Sequence, residues 1–218
     1  GYYELVAGSF SSDFENSKET GKNLGLENDR IYKTYQEMAE KESTRADGID
    51  VVSIVTPNHL HVPIAKIFAE NGIHIICDKP IGMSSKEAID LKKVIESKKL
   101  IFALTHNYTG YPMVRHARSL VQKGDLGSLR VIQAEYPQDW LTTKAEDSGL
   151  KQAEWRTDPN RSGAGGCIGD IGTHAYNLIR FITGLEVDEI SADIHTFVEG
   201  RKVDDNAQIM LRFKGGAK

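Results

Sequence analysis

The spacing of short apolar runs in the first hundred residues constrains the fold more than any other feature of this chain. "VVSIV" (51–55), "IHIIC" (73–77) and "LIFAL" (100–104) are β-rich and lack polar alternation, as expected of strands buried on both faces. Helical patterns fill the gaps. Thr34 with Glu37 and Ser84 with Glu87 form S/T-x-x-E capping boxes, which predict helices near 35–46 and 85–98. "YELVAG" (3–8) reads as an earlier strand, followed by a polar helix from about Asp13, its cap, to Leu24. Strand, helix and strand repeated in this way predict a doubly wound parallel sheet.

After Leu104 the pattern changes. A helix near 110–123 ends at "KGDLG", and "LRVIQAEY" (129–136) is long enough for an exposed or mixed-sheet strand. Residues 139–170 show no period and read as a long loop. A helix from about Gly172 to Thr183 follows, and then "VDEISADIHTFV" and "NAQIMLRF", whose alternation suits an antiparallel sheet. The organisation expected is therefore an α/β domain over 1–105 and an α+β domain over 106–218.

Composition excludes several partners. The 27 Lys and Arg and 31 Asp and Glu do not segregate into blocks, which argues against nucleic acid and membrane surfaces. No apolar run approaches the about 20 residues that a spanning helix needs. With only Cys77 and Cys167 and no signal-like segment, a reducing cytoplasm fits best.

Lys79 in "ICDKPIG" stands just past the carboxyl end of a buried strand, where open parallel sheets bind ligands. Position alone leaves it between a functional amine and a solvated loop lysine. Pro80 fixes the backbone that carries it, in a turn of the kind where a cis bond is found. "TPNHLH" (56–61) repeats this geometry, with Asn58 as an N-cap whose following amides could face a ligand. His59 and His61, at i and i+2, point to different helix faces and do not form a metal-binding pair, so both read as surface or partly packed side chains. No metal site is expected.

"SGAGGCIGDIGTHAYNLIRFITG" (162–184) carries the second candidate set. Ile168 occupies the place of the third small residue of a dinucleotide fingerprint, and "TDPNRS" rather than a strand precedes it, so a phosphate cradle is rejected. Asp170 and His174, at i and i+4, share a helix face. Either they project into a cleft together, or Asp170 caps the helix and His174 packs against the neighbouring domain. A Lys, an Asp and a neutral His suit removal of a hydroxyl proton while a hydride leaves the same carbon.

"CDKP", "TPNHLH" and "GGCIGDIGTH", in this order, resemble motifs of the glucose-fructose oxidoreductase, inositol dehydrogenase and MocA family of NAD(P)-dependent dehydrogenases. Asp78 stands for that family's usual Glu, and Cys167 for the third glycine of its G-G-G-x-x-x-D-x-G-x-H motif. The resemblance implies a Rossmann-like domain without its first strand and glycine-rich loop, then an α+β domain short of its last strands. It implies catalytic roles for Lys79, Asp170 and His174. Cofactor contacts would come from Thr56, Pro57, Asn58, His61, Asp78, Lys79 and Pro80, with Ser9, Ser11 and Ser12 near the adenosine ribose. Substrate contacts would come from Lys79, Asn107, Tyr108, Trp155, Arg156, Asp170 and His174.

The activity implied is oxidation of a secondary alcohol of a sugar, inositol or related polyol, or reduction of the ketone, with NAD or NADP. Self-association through the C-terminal sheet of the full-length protein is part of the same expectation. Two alternatives share the fold: an NAD-dependent glycosidase, and a non-catalytic sugar or nucleotide sensor, which would not need the proton-transfer set.

Overall fold

A computed structural model describes residues 2–218. They form two compact units, one comprising the residues up to Thr56 together with Leu60–Leu104, the other Pro57–His59 together with Thr105–Lys218.

The first unit is built on a three-stranded parallel sheet in the order β1 (Val51–Ile54), β2 (His74–Asp78) and β3 (Phe102–Thr105). Val51 pairs with His74 and Ile54 with Cys77, and the Ile75 amide donates to the Ile101 carbonyl. Helices α1 (Phe14–Asn23), α2 (Tyr35–Glu42), α3 (Asn58–Glu70) and α4 (Ser85–Ser97) flank the strands, and the starts of α1, α2 and α4 lie where local signals place them. The Asp13 carboxylate accepts the amides of Glu15 and Asn16, Thr34 Oγ1 that of Glu37, and Ser84 Oγ that of Glu87. The reciprocal arms of both boxes reach one residue further back than expected: Glu37 accepts from Lys33 N–H, and Glu87 from Met83 N–H.

The core lies where these elements meet. Val52, Ile54, Ile75 and Cys77 bury one sheet face against Val62, Ala65, Phe68 and Ala69 of α3 and Leu91 and Ile95 of α4. Each large apolar side chain buried there contributes about 1.5–3 kcal/mol. The expectation of strands buried on both faces is corrected, because Ser53 and Ala103 are exposed and Ile76 is half-buried. The 3–8 strand also does not form. A strand is held by a ladder, and here only Gly8 meets a partner, in a single parallel bridge with Ile31, while Tyr3 and Leu5 are exposed. Helix α2 stops at Glu42 rather than Ala46.

The second unit contains α5 (Pro112–Lys123), the short helices α6 (Lys151–Arg156) and α7 (Pro159–Ser162), α8 (Thr173–Thr183), and an antiparallel pair, β4 (Val187–His195) with β5 (Asn206–Phe213). Gly184 closes α8 at φ 71°, a left-handed conformation that costs a side-chain-bearing residue more than glycine. Arg118 on α5 lies over the Phe181 ring of α8 at 4.4 Å.

Two expectations fail in this unit. Residues 129–136 form no strand; their contact with Lys218, through Arg130 C=O and Ile132 N–H, is too short to make a ladder. The 139–170 loop contains α6 and α7, the latter opened by the Asp158 side chain on Asn160 N–H with Pro159 at the first helical position. Arg201 organises the rest of that loop from the β4–β5 connection. Its guanidinium, 1% exposed, donates to Glu146, Asp205 and the carbonyls of Leu141 and Thr143.

Candidate active site

In the first unit the candidates gather at the carboxyl ends of the parallel strands. Thr56 follows β1, and Lys79 and Pro80, joined by a cis peptide bond, follow β2. Asp78 is the last residue of β2, and Lys79 is half-buried. His61 is 1% exposed, which corrects its reading as a surface or partly packed side chain. Its Nδ1 lies 2.6 Å from the Pro80 carbonyl and its Nε2 2.8 Å from that of Thr56. Both ring nitrogens are thus engaged by backbone, and the ring ties the loop after β1 to the loop carrying Lys79.

Thr56 Oγ1 is shielded from solvent and has no hydrogen-bond partner. A buried hydroxyl left in this state is unfavourable, so such an atom at a ligand-binding edge is consistent with a partner supplied from outside the chain. Ser9, Ser11 and Ser12 precede α1, and Ser11 Oγ accepts the Asp13 amide. Phe10 closes over Gly8, where an added Cβ would lie 2.1 Å from the ring.

Pro57, Asn58 and His59 belong to the second unit. Asn58 does not cap α3 as expected. It is the first helical residue, and its Nδ2 donates to the Ser162 carbonyl at 2.8 Å. His59 Nδ1 contacts the Arg161 carbonyl at 3.3 Å.

The second unit presents Asp170 and His174 through an irregular helix entry. Ile168–Gly172 form a π-helical turn, closed by Thr173 N–H on Ile168 C=O, before α8 begins. Such turns are frequent at functional sites. Asp170 lies within the turn and does not cap α8, whose N-cap is Gly172 with no side-chain bond. The Asp170 carboxylate instead accepts from Arg156 Nε at 3.1 Å. Arg156 stacks on the Trp155 ring at 4.2 Å and on Trp140 at 5.7 Å.

His174 lies edge-on to Tyr108 at 4.8 Å and to His106 at 6.1 Å. The Tyr108 hydroxyl bonds that of Tyr136. That bond, burial and the nearby Tyr136, Tyr111 and Asp170 push the Tyr108 phenol up to about 12. Asn107, beside it, is exposed. Within this unit the structure therefore groups Tyr108 with His174 and Arg156 with Asp170. Sequence reasoning missed Tyr136 and Trp140, which carry no motif signal.

The glycine run is no phosphate cradle. Its Gly166 and Ile168 amides already donate to the Asp204 carboxylate at 2.6 and 2.8 Å, and that charge repels an anion. Among the described residues no cluster of three or more His, Cys, Asp or Glu could hold a metal, and no helix is long and apolar enough to cross a membrane.

Comparison with known proteins places the chain in one family. An uncharacterised oxidoreductase of Bacillus subtilis, YfiI, is 35% identical over 217 residues, which is 99% of this chain and 55% of that protein. Levoglucosan dehydrogenase of Pseudarthrobacter phenanthrenivorans is 32% identical over 192 residues, 78% of this chain and 47% of that protein. The crystal structure of an inositol dehydrogenase homolog from Azotobacter vinelandii, complexed with NAD+, superposes with a TM-score of 0.96 at 30% identity, covering 99% of this chain and 56% of that one. The chain thus spans about half the length of the curated relatives it matches. Residues 3–106 match the NAD-binding Rossmann fold of the oxidoreductase family and residues 114–218 the GFO/IDH/MocA C-terminal domain, and the chain belongs to that family.

Proposed function

We propose that the protein oxidises a secondary hydroxyl of a sugar, inositol or related polyol, or reduces the corresponding ketone, with Lys79, Asp170 and His174 serving one substrate. A nicotinamide cofactor held at the strand ends that carry Thr56 and Lys79 would supply the hydride acceptor for this chemistry. His174 takes the hydroxyl proton on a ring nitrogen, which only neutral imidazole can do. The Lys79 ammonium holds the oxygen as charge develops on it. Asp170, paired with Arg156, orients the substrate hydroxyl and the base. In the reverse direction His174 returns the proton.

The observation that carries this reading is the second unit's cluster, in which Asp170 on Arg156 and His174 on Tyr108 stand within one turn of helix. The residues of the first unit fit the cofactor. Thr56 Oγ1 lacks a partner at the end of β1, and Lys79 and Pro80 follow at the end of β2, the edge where parallel sheets bind nucleotides. Thr56, Asp78, Lys79 and Pro80 would hold the nicotinamide portion, Pro57 and Asn58 would adjoin it, and Ser9, Ser11 and Ser12 would lie toward the ribose. His61 contributes through the two carbonyls it engages. Asn107, Tyr108, Trp155 and Arg156 complete the substrate set. Relatives named for levoglucosan and inositol support the substrate class.

Self-association through β4 and β5 and a reducing compartment belong to the same reading. Their support is the exposed Ile190 and Ile194 of that sheet, and two free thiols.

The test is to screen the full-length protein with NAD and with NADP against polyols, aldoses and anhydrosugars while following nicotinamide absorbance. Net cofactor reduction by at least one secondary alcohol is expected. Cofactor binding with no reduction by any substrate would overturn the reading.

A further inference from the structure

Asp204 lies in the connection between β4 and β5, yet its polar atoms are directed at the stretch that leads into Asp170. Its Oδ1 accepts the Gly166 amide at 2.6 Å, and its Oδ2 accepts the Ile168 amide at 2.8 Å and the Cys167 thiol at 3.0 Å. Its own carbonyl accepts the Cys167 amide at 2.9 Å. Four donors from three consecutive residues therefore converge on one side chain and its backbone. The approach is close enough to require glycine at 166, where an added Cβ would lie 2.1 Å from the Asp204 carbonyl oxygen.

The neighbouring Asp205 turns the other way, accepting the amides of Phe197 and Val198 and a bond from Arg201. One aspartate closes the hairpin and the other reaches back to the turn.

We propose that Asp204 is a positioning residue for the reaction: it clamps residues 166–168 so that the π turn starting at Ile168 presents Asp170 and His174 in one arrangement. This rests on the function proposed above. The clamp and the turn share atoms. Ile168 gives its amide to Asp204 and its carbonyl to Thr173 N–H, and the Gly166 carbonyl accepts the Asp170 amide at 3.0 Å. Loosening residues 166–168 therefore shifts both functional side chains, and a displacement of about 1 Å can cost about 100-fold in rate.

The clamp also has a chemical reporter. Burial, the bond to Asp204 and the charges of Asp204 and Asp205 push the Cys167 thiol up to about 12. Removing the Asp204 charge lowers that value, and each unit of decrease raises the reactive thiolate about tenfold near neutral pH. Cys77, fully buried and pushed up to about 12 by burial and Asp78, serves as an internal reference.

The experiment compares wild-type, Asp204→Asn and Asp204→Ser proteins at full length. It measures iodoacetamide alkylation of Cys167 relative to Cys77, amide exchange over 166–174, and steady-state kinetics. Expected are faster Cys167 alkylation, faster exchange confined to that segment, and a kcat lowered about 10- to 100-fold with KM and cofactor affinity nearly unchanged. Unchanged alkylation and exchange would overturn the clamp. Faster alkylation and exchange with wild-type kcat would overturn the positioning role and leave the proposed function standing. A wild-type protein that reduces no cofactor would overturn that function and the catalytic part of this proposal together, while the thiol and exchange rates would still decide the clamp.

Discussion

Replacing Glu42 by Ala should cost the first unit about 3–5 kcal/mol, the range for leaving one partner of a buried ion pair uncompensated. The Glu42 carboxylate is 1% exposed and takes four donors: Arg30 Nε and Nη2, the Tyr32 hydroxyl at 2.6 Å and the Ile49 amide at 3.2 Å. Arg30 is itself 7% exposed, and its other carboxylate, Asp47, stands at 3.5 Å near the surface. The alanine variant therefore strands a guanidinium in the interior and orphans a hydroxyl and an amide, which moves the expected loss toward the upper end. Total stability of a domain is about 5–15 kcal/mol, so the variant should lose a large share of it. Urea unfolding followed by far-UV circular dichroism, with amide exchange over β1 and α3, measures the loss. The pair variant Arg30→Met with Glu42→Leu removes both charges together and should cost clearly less, with only the Tyr32 and Ile49 donors left unmet. A single-variant loss below about 1 kcal/mol, the range of exposed pairs, would refute the reasoning. So would a pair variant no more stable than Glu42→Ala.

Tyr32→Phe should flatten the alkaline limb of stability. Burial and the bond to Glu42 raise the Tyr32 phenol above its ordinary value of about 10. The native state thus keeps a proton that the unfolded chain releases, and wild-type stability falls above about pH 10 by up to about 1.4 kcal/mol per unit from this one group. The phenylalanine variant lacks that slope, as urea midpoints across that pH range would show. Leu91→Ala, at a fully buried α4 position, should cost about 2–5 kcal/mol in the same assay. Lys79→Ala should lower turnover by about two to four orders of magnitude with cofactor affinity near wild type, checked by steady-state kinetics and cofactor titration; an equal loss of cofactor binding would leave Lys79 a cofactor or structural contact rather than a group acting on the reacting oxygen.

What was legible in the sequence was local. Asp13, Thr34 and Ser84 mark helix starts because a cap bonds amides two or three residues away, and these bonds form. The strand character of β1 to β5 follows from patterning that each segment carries by itself, whereas their pairing does not. Asp158-Pro159 was such a signal too, a cap before a proline at the first helical position, although it lay inside a stretch read as loop. The failures are non-local. "YELVAG" has strand composition, but a ladder depends on a partner that the segment does not encode. Asp204 is 36 to 38 residues from the amides it holds, and Tyr136 is 28 from Tyr108. No periodicity links such positions. His61 was misread for a related reason, since its burial is set by the carbonyls of Thr56 and Pro80 rather than by its helix.

The most direct test of the central claim is the pH–rate profile of alcohol oxidation for wild-type and His174→Asn full-length proteins, using a substrate found in the polyol and sugar screen. If His174 is the base, the wild-type rate rises with pH through one ionisation, because only the neutral ring accepts the proton. The asparagine variant should lose that limb together with most of its rate. A variant that keeps the same ionisation with only a modest loss would contradict the account and pass the proton-accepting role to Lys79.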